Sequence, residues 1–332
     1  MATVLSQTRS TRQQYAEARA QAYSFFSSQL LLFNSRKKHG ILYSVATAAG
    51  LFCIPGILGV MGYETDLQLL IQRTIPLPFI TLMITVGMFI LNDLVDVDLD
   101  KSNSKNRPIS SGLVSKKQAW SFIFLTNGAA VGIMLIFTLD LARILLVVPM
   151  IIIGILYSIP KIALMKRFVL KNMAIAIFYM LCTMLGMTSS YGIDLTFNSP
   201  VVPIHTMAMS GIMIFVGSIV NDLGDTKGDK AAGRHTIPIV LGGEKTIKML
   251  VILLLVMPAI SWILYVTSIE SHSISMLTSI AVTLVATFAL FRMNNILKVF
   301  GDFKLMREQH KKWFPLYIVL QSGLVIGASL PL

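Results

Sequence analysis

Two acidic segments with matching residues are the part of this sequence best suited to chemistry. The first runs from Asn92 to Lys101 and the second from Asn221 to Lys230. Aligned at an offset of 129 residues, from position 92 to position 221, they share Asn, Asp, Leu, Asp, Asp and Lys. Each follows an apolar stretch, so the pair looks like an internal repeat of a four-helix unit arranged around one site.

Helical geometry places three carboxylates of the first segment on one side. At 100° per residue, Asp93, Asp96 and Asp100 fall within about 60° of one another. Asp98 points to nearly the opposite side. The equivalent residues of the second segment are Asp222, Asp225 and Asp229. Each helix end therefore offers three carboxylates on one face.

The chemistry predicted for these six aspartates is binding of Mg²⁺. Six carboxylates that face one cavity would repel one another strongly unless cations lay among them. Oxygen ligands suit Mg²⁺, which keeps several waters and bridges carboxylates to the phosphates of a substrate. Asn92 and Asn221 would add a neutral oxygen ligand or orient a carboxylate. We therefore predict that the six aspartates are metal ligands and catalytic residues.

Two simpler interpretations compete with a catalytic site. One acidic run at a helix end is most often a solvated loop, but two matching runs are harder to explain that way. The order Asp96, Asp98, Asp100 also resembles the start of an EF-hand calcium loop. That loop requires Gly at position 6 and Glu at position 12. Here those positions hold Lys101 and Arg107, which excludes it.

Basic residues near the two segments fit a diphosphate ligand. Arg107 follows the first segment, Lys230 and Arg234 follow the second, and Lys171 lies at the expected start of a helix. With Mg²⁺, such side chains bind a diphosphate and stabilise the charge that develops as it leaves. The alternative for any one of them is the ordinary excess of basic residues in cytosolic loops.

The elements that must position these residues are transmembrane helices. The chain has 332 residues, of which 55% are hydrophobic and 13% charged, against about 25% charged in soluble domains. A spanning helix needs about 20 apolar residues, and this predicts an all-α, multi-pass membrane bundle of about nine spans around a central cavity. The spans are 41–62, 76–94, 119–139, 142–158, 168–190, 201–221, 247–268, 274–293 and 314–330.

The distribution of positive charge supports this count and sets the orientation. With the N-terminus in the cytosol, 26 of the 28 Lys and Arg residues lie on the cytosolic side, and only Arg73 and Arg143 lie on the other. Cytosolic loops are enriched in basic residues, so the net charge of +12 reflects contact with a lipid bilayer. A nucleic-acid partner is not expected, because that requires a basic face on a soluble fold.

The N-terminal part of the chain is expected to form a separate segment. We divide the chain into an interfacial segment, 1–40, and a transmembrane domain, 41–332. Phe25 and Phe26, with the apolar run 30–33, would lie on the membrane surface. The competing interpretation is a mitochondrial transit peptide, which has a similar composition. For a eukaryotic protein we expect an endomembrane location, the endoplasmic reticulum. The sequence does not indicate an oligomeric state.

At these residues the sequence resembles the UbiA superfamily of membrane prenyltransferases. The resemblance rests on the nine expected helices, the acidic motif at 92–100, the pair Arg107-Pro108, the Tyr-Ser-x-Pro loop at 157–160 and the acidic motif at 222–229. It covers nearly the whole chain and implies a helical fold with a cavity capped by cytosolic loops. It also implies Mg²⁺-dependent ionisation of a polyprenyl diphosphate such as farnesyl or geranylgeranyl diphosphate.

The resemblance carries over residue by residue. It assigns the metal-binding carboxylates to Asp93, Asp96, Asp100, Asp222, Asp225 and Asp229. It assigns diphosphate binding to Arg107, Lys171 and Arg234, and Lys230, which follows the second motif, is a further candidate from its position. The carbocation or acceptor pocket would include Asn92, Asn221 and Tyr157. Tyr157 could hold the carbocation by a cation–π contact, or it could be an aromatic residue of the membrane interface.

The group that intercepts the carbocation is left open. In most of the superfamily an aromatic or quinone-precursor acceptor attacks it, and in one branch a double bond of the substrate itself attacks, which makes a terpene cyclase. The loop at 157–160 and the stretch 33–36 depart from the pattern of ubiquinone-pathway members. Both departures favour specialised terpenoid or meroterpenoid metabolism, by transfer or by cyclisation. A transporter also carries repeats and acidic helices, but its acids would lie near the bilayer midplane.

Overall fold

The computed structural model describes residues 24–52, 74–102, 106–137, 141–191, 201–267 and 274–329, and these are almost entirely helical. Within these ranges, β-type backbone pairing occurs as an isolated bridge between Arg167 and His235. This agrees with the predicted all-α class. A chain whose backbone groups lie in hydrocarbon must satisfy them within helices, which explains the near absence of other structure in the described part of the chain.

Twelve α-helices are described. In chain order they are α1 (Phe25–Phe52), α2 (Pro76–Val95), α3 (Val97–Ser102), α4 (Lys116–Phe137), α5 (Leu141–Ser158), α6 (Phe168–Tyr191), α7 (Val201–Ala231), α8 (Ile237–Leu241), α9 (Gly243–Thr267), α10 (Met276–Lys298), α11 (Phe303–Lys311) and α12 (Phe314–Ser329). A short 3₁₀ turn, Leu164–Lys166, connects α5 to α6.

Seven of the described helices are long and apolar enough to cross a membrane: α2, α4, α5, α6, α7, α9 and α10. They coincide with seven of the nine predicted spans. The first predicted span, 41–62, covers the end of α1 and continues outside the described residues. The last one corresponds to α12, which has 16 residues. The exact number of nine therefore stays a prediction.

Helix α1 begins earlier than the sequence suggested. It starts at Phe25 rather than at residue 41, so the predicted division of the chain at residue 40 falls inside a continuous helix. Leu32 and Arg36 are buried in the bundle, whereas Phe26 is exposed. The early part of α1 is held by packing on α2, where Arg36 binds Asp93. The Cβ of a residue replacing Gly40 would meet Val86 of α2.

The helices close into one bundle with two similar halves. Helix α1 packs on α2, and α2 packs on α4; in the second half α6 packs on α7, and α7 packs on α9. The halves meet where α1 packs on α6. There, Gly50 and Gly186 bring the two backbones together, because a Cβ on either would collide with a backbone carbonyl of the other helix. Helix α12 packs on α10 and α1 and completes the ring.

Candidate active site between the two acidic segments

The first acidic segment lies where α2 ends. Helix α2 stops at Val95, Asp96 is its C-cap, and α3 begins at the next residue. The amide of Asp96 donates to the carbonyl of Asn92 at 2.9 Å, and the amide of Asp100 donates to that of Asp96 at 2.8 Å. Helical spacing therefore continues through the break. Asp93, Asp96 and Asp100 are buried, and Asp98 is exposed, as the helical geometry predicted.

Two arginines hold the first segment. Arg36 of α1 donates to both carboxylate oxygens of Asp93, with 2.7 Å from Nε to Oδ2. Arg107 bridges Asp93 and Asp100, with Nη1 at 2.5 Å and 2.6 Å from their oxygens. Arg107 also borders an open cavity of about 320 Å³ that is lined in part by Asn34 and Ser111. A solute that enters this cavity can therefore contact Arg107, whose side chain is 22% exposed.

The second acidic segment lies inside the uninterrupted helix α7. Lys171, in the first turn of α6, places its Nζ 2.6 Å from Oδ1 of Asp222 and 3.5 Å from Oδ2 of Asp229. Asn172 donates to Oδ2 of Asp222 at 3.1 Å. All four side chains are buried. The buried ammonium and amide compensate the charge of Asp222, which would otherwise be costly to bury.

Arg234 joins the two segments. Its Nη2 lies 2.7 Å and 2.6 Å from the two oxygens of Asp96 in the first segment. Its Nη1 lies 3.3 Å from Oδ1 of Asp229 in the second segment. Burial alone would lower the pKa of Arg234, but the carboxylates of Asp96 and Asp229 raise it above its ordinary value. A single charged side chain thus contacts both motifs, which places them on one common site.

The remaining aspartate of the second segment, Asp225, has different neighbours. Its Oδ2 accepts a long hydrogen bond from Asn221 at 3.4 Å. Its Oδ1 lies 3.5 Å from Nη1 of Arg307, which belongs to α11. Asn92, the counterpart of Asn221, instead donates to the sulfur of Met165 at 3.1 Å. The two asparagines therefore lie beside their own motifs but make different contacts.

Tyr157 and Lys230, two further residues singled out by the sequence, lie in different places. Tyr157 is near the end of α5, and its hydroxyl interacts electrostatically with Lys171, Asp222 and Arg234. It therefore lies beside the cluster. Lys230 is exposed at the end of α7, because successive helical residues point 100° apart and its neighbour Asp229 faces inward. The structure does not bring Lys230 to the other predicted residues.

Sequence reasoning missed four neighbours of these aspartates: Arg36, Met165, Asn172 and Arg307. Arg36 carries no distinguishing local signal, because it lies among polar and basic residues at 34–39. The signal for Asn172 was its position next to Lys171. Met165 and Arg307 carry no local signal, because each reaches the site through tertiary packing.

The structure shows how the protein itself compensates the charge of the two acidic motifs, whereas metal binding by the six aspartates stays a prediction. Within the described residues, no three His, Cys, Asp or Glu side chains lie together in a way that could hold a metal ion. Instead, the cationic groups of Arg36, Arg107, Lys171 and Arg234 lie between the carboxylates. Like charges in a buried site are unfavourable, and the protein compensates them with its own side chains.

The groups around the cluster nevertheless fit Mg²⁺ bound together with a diphosphate. The buried Oδ2 of Asp229 and Oδ1 of Asn172 accept no hydrogen bond from the described residues, and the buried Nε of Arg234 donates none there. Two oxygens of this kind are suitable metal ligands, and the N–H group is a suitable donor to phosphate. Mg²⁺ needs only one or two protein carboxylates when phosphates and waters complete its shell.

Comparison with known proteins identifies the family of sequences to which the motifs belong. The UbiA prenyltransferase family model matches residues 37–299. Digeranylgeranylglyceryl phosphate synthase of Methanosphaera stadtmanae is 29% identical over 181 residues, which is 54% of this chain and 62% of that protein. The enzyme of the same name from Thermococcus kodakarensis is 25% identical over 243 residues, 72% of this chain and 83% of that protein.

Solved structures show the same fold. An apo UbiA homolog from Aeropyrum pernix K1 has a TM-score of 0.66 at 16% identity, covering 88% of this chain and 98% of that one. A UbiA homolog from Archaeoglobus fulgidus bound to DMAPP and Mg²⁺ has a TM-score of 0.62 at 17% identity, covering 90% of this chain and 99% of that one. At these identities the similarity establishes the architecture.

Proposed function

Because the chain belongs to the UbiA prenyltransferase family, we propose that it ionises an isoprenyl diphosphate with Mg²⁺ and transfers the prenyl group to an acceptor. The observation that carries this proposal is the position of Arg234, which contacts Asp96 of one acidic motif and Asp229 of the other. A site built from both motifs offers carboxylates for a metal and cations for a diphosphate at the same place.

The protein's own residues would act on the diphosphate as follows. Arg107, Lys171 and Arg234 exchange their carboxylate partners for phosphate oxygens, to which charged N–H groups bind strongly. In this position they stabilise the negative charge that develops on the departing diphosphate as the allylic carbon–oxygen bond breaks. The six aspartates would hold Mg²⁺, and Mg²⁺, when bound, draws electrons from the leaving group.

The apolar interior below the cluster suits the prenyl chain. Phe89 lies beneath the guanidinium of Arg36, with 5.6 Å from the ring centroid to Cζ. Tyr43 packs edge to face against Phe89, Phe178 and Tyr179. We propose that these rings, together with Tyr157, shield an allylic carbocation from water and stabilise it by cation–π contacts.

The donor that we favour is geranylgeranyl diphosphate, with farnesyl diphosphate as the shorter candidate. The curated relatives are named for a product that carries two geranylgeranyl groups, whereas the Archaeoglobus fulgidus homolog binds DMAPP or GPP. For the acceptor we propose a molecule of specialised terpenoid or meroterpenoid metabolism, because the loop at 157–160 and the stretch 33–36 depart from the ubiquinone-pathway pattern.

The orientation that we propose places the site at the cytosolic face. The first acidic segment spans the end of α2, and the second lies within α7 near its end. The charge distribution assigns 26 of the 28 basic residues to this side. We propose a cytosolic N-terminus and, in a eukaryotic cell, the endoplasmic reticulum membrane.

The proposal is tested by incubating membranes that contain the protein with Mg²⁺ and geranyl, farnesyl or geranylgeranyl diphosphate. We expect Mg²⁺-dependent release of diphosphate, with the highest kcat/KM for geranylgeranyl diphosphate, and a prenylated product only when an acceptor is added. If a cyclic hydrocarbon forms without an added acceptor, the enzyme catalyses cyclisation and not prenyl transfer. No release from any of the three substrates would refute the proposal.

A further inference from the structure

Helix α11 lies across the second acidic segment. Asp302 caps its N-terminus by accepting hydrogen bonds from the amides of Lys304 and Leu305 at 3.0 Å. The helix packs on α7 and buries Met306 there. A capped helix with a buried anchor holds its inward-facing side chains in defined positions.

The contact between α11 and α7 depends on Gly224, which directly precedes Asp225. A Cβ at position 224 would lie 2.7 Å from Cγ of Arg307 and 3.2 Å from its backbone nitrogen. Arg307 therefore occupies the space that any larger residue at position 224 would need. Its guanidinium lies beside the acidic segment, with Nη1 3.5 Å from Oδ1 of Asp225.

Arg307 is the cation that α11 presents to this segment. Lys304 and Lys311 are exposed, and Lys311 pairs with Glu308 on its own helix at 2.6 Å. His310 faces α7, but burial lowers its pKa to about 4 despite the opposing effect of Asp225, so it is neutral at pH 7.

The pairing of Arg307 with Asp225 is looser than the pairings in the first motif. The side chain of Arg307 is 42% exposed and that of Asp225 15%, whereas Asp93 is 1% exposed under Arg36. Exposed ion pairs contribute little stability, so separating this pair costs little. A guanidinium also has five N–H donors in a planar fork that matches phosphate oxygens.

From this geometry we propose that Arg307 binds the substrate's diphosphate from the α11 side of the site. The inference rests on the proposed function and adds a residue from a helix outside both acidic motifs and their following loops. Arg307 leaves Asp225 and donates to phosphate oxygens, and Asp225 becomes accessible to the site. The helix α11 thereby supplies a cation in addition to Lys171 and Arg234.

The test compares R307Q with K311Q, which removes the same charge from the exposed face of the same helix. Binding of inorganic diphosphate in MgCl₂ is measured first with the full-length protein in nanodiscs, because it requires no turnover. We expect R307Q to weaken this binding about tenfold, the effect of losing a hydrogen bond to a charged group. K311Q should bind like the wild type, and both variants should keep the wild-type melting temperature.

Steady-state kinetics then separate the two proposals. If the wild type turns over, R307Q should raise KM for the isoprenyl diphosphate about tenfold with a smaller change in kcat. R307K, which keeps the charge but lacks the fork, should give an intermediate value, and it serves as the test if R307Q fails to accumulate. If R307Q binds diphosphate as tightly as the wild type, the proposed role of Arg307 is overturned. The same holds for R307K where it replaces R307Q as the test. A wild-type protein that binds Mg²⁺ and diphosphate but releases none from any isoprenyl substrate would instead overturn the proposed function.

Discussion

The two acidic motifs have the same spacing but are held in different ways. In the first, the helix breaks at Asp96, and Asp93 is bound by the guanidinium groups of both Arg36 and Arg107. In the second, α7 continues through the motif, and Asp222 is bound by the ammonium of Lys171 and the amide of Asn172. The aspartates of the two motifs have the same spacing, but different side chains compensate their charge in the two halves.

The first motif is held more rigidly than the second, and the second is more accessible. Arginine forks fix a carboxylate in a defined plane, so the first motif is rigidly held. In the second motif, Oδ2 of Asp229 accepts no hydrogen bond from the part of the chain that the structure describes, and Asp225 is more exposed than Asp229. Arg234 connects the two. The comparison suggests that the first motif fixes the geometry of the site and that the second adapts to the ligand.

The largest effect is expected when either motif loses its first aspartate. Asp93→Ala and Asp222→Ala should each lower the rate of diphosphate release by about a thousandfold, because each removes a charge that the reaction requires. Both proteins should still insert in the membrane. Diphosphate release from membranes with equal amounts of protein measures this, and near-normal turnover in either variant would reject the site.

The next prediction concerns stability and tests the rigidity of the first motif. Arg36→Gln breaks a buried pair and should lower the free energy of unfolding by about 3–5 kcal/mol. Arg307→Gln breaks an exposed pair in the second motif and should change it by less than about 1 kcal/mol. Thermal unfolding in detergent compares the two. Equal destabilisation would remove the distinction between the motifs.

A smaller effect should reveal the coupling through Arg234. Asp96→Asn and Asp229→Asn share this partner, so their effects on unfolding should be non-additive by about 0.5–3 kcal/mol. In an Arg234→Gln background the non-additivity should vanish. A double-mutant cycle on melting in detergent measures both quantities. Additive effects in the wild-type background would show that the motifs are independent.

The smallest effects are expected at exposed positions beside the motifs. Asp98→Asn and Lys230→Gln should each change kcat/KM by less than about twofold, since these side chains are exposed and surface substitutions usually have small effects. For Lys230 this differs from the sequence-based expectation of diphosphate binding. Steady-state kinetics on both variants provide the measurement, and a large loss at Asp98 would contradict the helical geometry of the first motif.

Much of the fold can be predicted from the sequence, and so can the side chains of the first motif that face the interior. Long apolar stretches predict helices that span a membrane, and seven described helices coincide with predicted spans. Helical periodicity separates Asp98 from Asp93, Asp96 and Asp100, and the structure shows this separation as exposure against burial. Both results depend on local regularities that a single sequence contains.

The tertiary pairings could not be predicted. Arg36 fell within the expected interfacial segment, 1–40, because a hydropathy pattern assigns charged stretches to the membrane surface. The structure instead buries Arg36 within α1 against Asp93. Arg307 and Asp225 are 82 residues apart, and no local pattern connects them. The sequence indicated a need for counter-charge but did not show which side chains supply it.

The most direct test of a shared site is a Mn²⁺ titration followed by electron paramagnetic resonance, with Mn²⁺ in place of Mg²⁺ and inorganic diphosphate present. Asp96→Asn and Asp222→Asn each change one motif. If both motifs hold one metal–diphosphate group, each variant should weaken Mn²⁺ uptake about tenfold or more. If either variant binds Mn²⁺ as the wild type does, its motif lies outside the metal site and the shared site is refuted.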